Sequence, residues 1–392
     1  MTRMGSEAAT FDARALSELL LREDVTLSVL EDLLGSSEVS NELLRGERLP
    51  SRREASLLGA LLGVDPKVLA GVQSPSLGVS LRLGTAEVEH DVVEPVEHAM
   101  KLLAADRLTE HWGFRAPSEG MARLPVSRRS YKPKEDGRMT AVRLRARLRL
   151  DPFSPVEDLT GLVESMGCLV EYRPLPKNVH GISVPENRGS RKVWAILINS
   201  HDYWALQRFT LAHELSHVLY EDSGQIIVDR AQTSNALPEI IADSFSRHFL
   251  FPDDALEEML ENHGRPSDPA DVDRLVADIM LTYGISRQAT LKALRESKDP
   301  LAPSESLLRR CESVAVRSMM AGVGAGAAWS EMAEAEGRRY ASPRLTEHVL
   351  AAFADNVVSL PMVADVIADG DEAEAARQLS AAGWDLPSAA GG

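Results

Sequence analysis

Phe209-Thr210-Leu211-Ala212-His213-Glu214-Leu215-Ser216-His217-Val218-Leu219-Tyr220 is the stretch on which the reading of this sequence turns. Around the His-Glu-x-x-His core the run is mostly apolar, so the pattern predicts a buried helix from about Trp204 to Tyr220. On a helix, His213 and His217 are four apart and project from one face a turn from each other, where their ring nitrogens can grip a single ion. Glu214, beside them and not a ligand, is suited to take a proton from water that a metal has acidified and to pass it to a leaving amine. The pentapeptide alone is a weak signal. It gains weight from the branched, apolar strand Val193-Trp194-Ala195-Ile196-Leu197-Ile198 on its N-terminal side and from Glu239 on its C-terminal side.

Zn2+ usually takes three protein ligands plus water, so two imidazoles require a third donor. Glu239 is the candidate: it opens Glu239-Ile240-Ile241-Ala242-Asp243 on a second predicted helix, Pro238 to Phe251, 22 residues after His217. Asp243, one turn on, is spaced to accept a hydrogen bond from a ligand imidazole and fix its tautomer, although a plain surface carboxylate has the same spacing. Peptide hydrolysis also needs a group that stabilises the oxyanion. Tyr220, three positions after His217, and His248, on the Glu239 helix, are the nearest candidates, with an interface aromatic and a helix-end histidine as the alternative readings.

Outward from this centre the chain mixes a helix from Val156 to Met166, an extended run from Cys168 to Tyr172 and the Val193–Ile198 strand, and from Pro238 it is mostly helical to the end. The fold class is α+β, mostly helical. Residues 11–72 read as a small helical module in short blocks, 73–117 as a helical linker region containing Ser74-Pro75-Ser76, and 301–392 as a helical C-terminal region whose role the sequence does not reveal. Between Arg115 and Arg149 there are eleven Lys or Arg against three acids. Such a stretch is either a solvated helix face balancing acidic neighbours or a surface for phosphate.

At 392 residues the chain has material for two or three domains. Its formal charge of −16 argues against a protein whose main business is coating nucleic acid. Two cysteines far apart, Cys168 and Cys311, fit a reducing compartment. Met1 to Leu21 shows no secretory leader and no apolar run reaches membrane-spanning length, so a soluble, cytoplasmic protein without a membrane partner is expected. The oligomeric state is not indicated.

Taken together, Ile198-Asn199, Arg208 to His217, Glu239-Ile240-Ile241-Ala242-Asp243-Ser244-Phe245 and Leu250-Phe251-Pro252 resemble the ImmA/IrrE family of metallopeptidases, as does His180-Gly181-Ile182. The resemblance covers roughly residues 118–300 and implies a zincin-like domain with a short sheet. Under it, His213, His217 and Glu239 match the zinc ligands and Glu214 the general base, with Ser216 where many members have Gly and Asp243 where many have Asn. It further implies a zinc endopeptidase acting on an intracellular protein, typically a transcriptional repressor whose cleavage releases a stress response.

Residues 11–72, with Leu34-Gly35 and Leu43-Leu44-Arg45-Gly46, resemble the Xre-type helix-turn-helix domains of phage repressors, a module that commonly precedes such a peptidase domain. Its charge fits DNA poorly: Phe11 to Val72 holds seven basic and eleven acidic residues, and the presumed recognition helix Ser37 to Leu44 carries Glu38 and Glu42. DNA therefore stands as an open partner, beside a degenerate module that packs internally or recognises a repressor. Leu275 to Leu294, turning at Tyr283-Gly284-Ile285-Ser286, is a second helix-turn-helix-like stretch that a packed helical corner explains as well. The competing function is a DNA-binding regulator whose zinc domain is a sensor or a non-catalytic scaffold; an adaptor that carries a repressor to another protease is a third.

Overall fold

The computed structural model describes residues 16–17, 20, 27–62, 90–114, 132–188, 191–220, 226–230, 236–334, 338–355 and 357–384. The rest of the 11–72 module, the Ser74–Ser76 linker and the Arg115–Arg129 part of the basic stretch lie outside them. The chain divides into two compact units, residues 1–118 with 341–392, and residues 119–340. The region read from the sequence as 301–392 is shared between the units.

In the first unit, α1 (Leu27–Leu34), α2 (Ser37–Leu44) and α3 (Arg52–Leu62) precede the long α4 (Val93–His111). Leu30, Leu33, Leu43, Leu58 and Leu61 are fully buried and make the packed side of the first three helices. Between α1 and α2 the chain turns at Gly35, whose φ of 70° is open to a residue without Cβ, and Ser36 then caps α2 by accepting from the Val39 N–H. Two of the arginines after α2 are held in ion pairs. Arg48 grips Glu54 through both terminal nitrogens, at 3.0 and 2.8 Å, and meets Glu42 at 3.1 Å, while Arg45 pairs with Glu47.

The second unit opens with α5 (Pro133–Arg147) and α6 (Leu159–Ser165), followed by β1 (Leu169–Arg173), β2 (Val179–Arg188) and β3 (Arg191–Asn199). Next come α7 (Trp204–Tyr220), β4 (Ile227–Arg230), α8 (Leu237–Leu250), α9 (Asp253–His263), α10 (Pro269–Tyr283) and α11 (Arg287–Glu296). Three short helices, α12 (Glu305–Ser313), α13 (Val316–Gly322) and α14 (Gly326–Ala333), complete it. The strands form one sheet in the order β1-β3-β2-β4, with β1 parallel to β3 and the other pairs antiparallel. Central β3 is buried from Val193 to Ile198, which is why its sequence is a continuous apolar run rather than an alternation. Asn199 ends it: its side-chain oxygen accepts from the Leu175 and His201 N–H groups and its amide donates to the Val179 carbonyl. The sheet's β1 edge is covered by Tyr340, which exchanges two backbone hydrogen bonds with Tyr172, whereas β4 forms the other edge.

Helix α7 lies on β2 and β3, and α8 lies between α7 and α5. The approach of α5 to α8 depends on Gly137, where a Cβ would stand 2.3 Å from the Ile241 carbonyl oxygen. The basic stretch is divided by this packing. Arg145 is buried and donates to the carbonyls of Phe249, Asp151 and Ser154, and Arg138 pairs with Glu135, while Arg143, Arg147 and Arg149 are exposed. At the second helix-turn-helix-like stretch, α10 ends on left-handed Gly284 and Ser286 caps α11. Arg208 fills the space beside Gly284 and Arg287 donates to the Cys311 and Val314 carbonyls, so this corner is built into the packing of the unit.

The chain then returns to the first unit with α15 (Pro343–Ala354), α16 (Leu360–Ile367) and α17 (Glu372–Ala381). They are tied to its N-terminal helices by Arg344–Asp106 at 2.6 Å, Lys101–Asp365 at 2.7 Å and a hydrogen bond from Ser359 to the Leu61 carbonyl. Among the described residues no helix is long and apolar enough to cross a membrane.

Candidate metal centre

Every residue of α7 from Thr210 to Tyr220 is buried, so two histidines and a glutamate are carried into the core on a helix that its apolar neighbours hold in place. Such groups are tolerated only where partners replace lost water. His213 and His217, 4% and 2% exposed, turn their Nε2 atoms toward one another at 3.1 Å. Glu239, in the first turn of α8, reaches both: its Oε2 lies 3.1 Å from His213 Nε2 and its Oε1 lies 3.6 Å from His217 Nε2. The three ligand atoms all lie within 4.8 Å of one another.

That donor set fits a small divalent cation. Two nitrogens and an oxygen around a tetrahedral ion with bonds of ~2.0–2.1 Å are spaced by ~3.3 Å, close to the separations found. Two facing Nε2 atoms can share only one hydrogen, whereas an ion accepts a lone pair from each. On the far side of the His213 ring, Nδ1 meets Asp243 Oδ1 at 3.2 Å, a contact that would keep a proton on Nδ1 and free Nε2 for an ion. Burial pulls the His213 pKa down, but its hydrogen bonds with Asp243 and Glu239 outweigh that and hold it well above the ordinary value. Burial pushes Glu239 up, and its bond to His213 with the charge of His217 brings it below the usual carboxylate range.

Glu214 points from α7 to the inner face of β2 and is wholly buried. The Ser183 hydroxyl donates to its Oε2 at 2.5 Å, and Oε1 accepts no hydrogen bond from the described residues. A Cβ on Gly181 would come within 2.9 Å of that Oε1 and 2.8 Å of Thr210 Cγ2. Burial drives the Glu214 pKa up to about 7, against the opposing pull of His217.

The structure brings His213, His217, Glu239, Asp243 and Glu214 together but not the two oxyanion candidates. The Tyr220 hydroxyl is engaged with α5, 2.7 Å from Thr140 Oγ1 and 3.3 Å from the Asp136 carbonyl. His248 lies nine residues past Glu239, roughly 13 Å along the helix axis. Its nitrogens meet the Ser244 carbonyl at 2.6 Å and Arg247 at 2.9 Å, and burial holds its pKa down.

Ser183 and Asp229 are residues of the site that spacing in the sequence did not single out. Asp229, on β4, is the cross-strand partner of Gly181; burial raises its pKa, and His213, His180, Glu239 and His217 are the charges around it. His180 sits at a bulge in the β2–β4 pairing and bonds Asp202 at 2.7 Å, which raises its pKa. The signal for Ser183 was available: it follows Gly181 by two in a strand and so shares its face. Nothing in the four residues of β4 marks Asp229.

A buried His-Glu-x-x-His helix whose imidazoles meet a carboxylate from the next helix is an arrangement suited to holding a metal ion. Residues 163–295 match the family described as the IrrE N-terminal-like domain, Peptidase_M78, a span holding every residue just placed at the site. No curated protein matches the chain, and no solved structure does.

Proposed function

We propose that the chain is a zinc-dependent intracellular endopeptidase that cleaves a transcriptional repressor or similar regulatory protein. The observation that carries this reading is the convergence of three donor atoms beside a buried carboxylate with one bare oxygen. His213, His217 and Glu239 would hold the ion, with Asp243 orienting His213. Zinc bound there would supply Lewis acidity, polarising the scissile carbonyl and acidifying water.

Glu214 Oε1 accepts a proton from water as the water oxygen bonds to the carbonyl carbon. The same carboxyl then delivers that proton to the amide nitrogen as the C–N bond breaks, giving one new amine and one new carboxylic acid, which ionises to solvent at neutral pH. A pKa near 7 suits a group that must both take and give a proton at neutral pH. Among the described residues β4 is an edge strand, a position at which an extended peptide could add to the sheet. Support for a repressor as substrate comes from the family resemblance and from the repressor-like module at 11–72.

Metal analysis of the full chain, with incubation alongside repressors encoded near its gene, tests the reading. Glu214→Gln should retain one zinc and lose cleavage, whereas His213→Ala and Glu239→Ala should lose the metal. Cleavage that persists in Glu214→Gln would remove Glu214 from the mechanism. The competing DNA-binding regulator draws on the α1–α3 helices, but in the turn after α2 Arg48 is held by Glu42 and Glu54, and Arg45 pairs with Glu47 at the surface. Salt-sensitive retention of duplex DNA by zinc-loaded Glu214→Gln protein would favour it.

A further inference from the structure

We infer that Ser183, together with Gly181, positions the Glu214 carboxylate so that a single oxygen is presented to the reacting water. The inference rests on the peptidase reading of the site. Residues 181 and 183 lie two apart on β2 and face α7 together. Ser183 is fully buried, and its hydroxyl fixes Glu214 Oε2 at 2.5 Å. With Oε2 held, the carboxylate plane cannot turn freely about its terminal torsion. Oε1 is then the one oxygen left to accept a proton.

Gly181 supplies the second half of the device. A methyl group there would stand 2.9 Å from Oε1 and 2.8 Å from Thr210 Cγ2, crowding the oxygen that must meet water. The bare backbone keeps that side of Oε1 open. Oε1 of this fully buried carboxylate accepts no hydrogen bond from the described residues, although its other oxygen is held by Ser183. Half-satisfaction is what a general base needs: one oxygen anchored, the other available. Ser183 touches Glu214 rather than the substrate and is therefore a positioning residue.

The test uses the full chain in wild-type, Ser183→Ala and Ser183→Thr forms. First, glutamate carboxyl 13C spectra are recorded without metal, the Glu214 signal being assigned by its loss in Glu214→Gln. That signal should move in Ser183→Ala and return toward wild type in Ser183→Thr. Second, the zinc-loaded proteins are assayed on one quenched fluorescent peptide selected from a mixture with the wild type. Ser183→Ala should lose about 10–100-fold in kcat with KM within about twofold and zinc content unchanged, and Ser183→Thr should recover most of it. If Ser183→Ala does not fold, Ser183→Cys, close in shape and a much weaker donor, replaces it. Wild-type kcat in Ser183→Ala, or an unmoved Glu214 signal, overturns the positioning role alone. A zinc-loaded wild type that cleaves no peptide in the mixture and no repressor overturns the peptidase reading, and the positioning role with it.

Discussion

Replacing Gly137 by alanine sets local helix preference against tertiary packing, and the two predict opposite signs. Gly137 lies inside α5, where Gly→Ala ordinarily stabilises a helix by about 0.5–1 kcal/mol. Here the new Cβ would lie 2.3 Å from the Ile241 carbonyl oxygen, 2.8 Å from the Phe245 nitrogen and 2.9 Å from Ser244 Cβ, all on α8. Two of these atoms are backbone, so no rotamer change relieves them. Ordinary contact requires 3.4 Å or more, which means that α5 and α8 must part by roughly 1 Å. Overpacking of this kind costs about 1–3 kcal/mol, so after the helix gain is subtracted the net loss reaches about 2.5 kcal/mol, and a unit of this size should lose up to about 10 °C in Tm. Ile241 is two residues from Glu239, so the displaced helix also carries the third metal donor. Gly137→Ala should therefore show a lower Tm by calorimetry and weaker zinc retention against a competing chelator. An unchanged or higher Tm with unchanged zinc affinity would refute the claim that the α5–α8 approach is set by this glycine.

The same packing makes other outcomes measurable. Arg145→Met strips one guanidinium from the carbonyls of Phe249, Asp151 and Ser154 and should cost about 2–4 kcal/mol in denaturant unfolding, with Arg145→Lys failing to restore it because one ammonium cannot span that fork. Both thiols are buried, and burial with the nearby Asp273 pushes Cys311 up to about 12; the native protein should leave a thiol reagent unreacted at pH 8 and consume two equivalents once denatured. Arg48 holds the Glu54 carboxyl below its usual 4.5, so the pair adds stability above that pH and loses it as pH falls through the lowered value. The Tm gap between wild type and Arg48→Met should accordingly be present at neutral pH and shrink below about pH 4.5.

Much of the metal centre was legible in the sequence because its elements are local. Spacing of four places His213 and His217 on one helix face, and the apolar run around them bounds α7 at Trp204 and Tyr220, as drawn from periodicity. Helix α4, Val93–His111, falls in the stretch read as a helical linker region, and α8 falls within one residue of its expected limits. Tyr220 and His248 show where such reasoning stops. Both sit on the right helices, yet the direction of a side chain depends on what packs opposite: α5 takes the Tyr220 hydroxyl, and the helix rise carries His248 away from Glu239.

What the sequence by itself determined was the set of local periods: two imidazoles a turn apart, a base between them, a carboxylate opening a later helix, and an apolar strand before. Only the tertiary structure decided the distances between elements. It set Ser183 against Glu214, brought Asp229 beside the imidazoles and turned Arg145 from a surface charge into a buried clamp. It also joined α15–α17 to the N-terminal helices across the intervening unit's sequence. The physical reason is that residue spacing encodes which face a side chain occupies, whereas strand register and helix approach are settled by steric fit between segments far apart in the chain, as at Gly137 and Gly181.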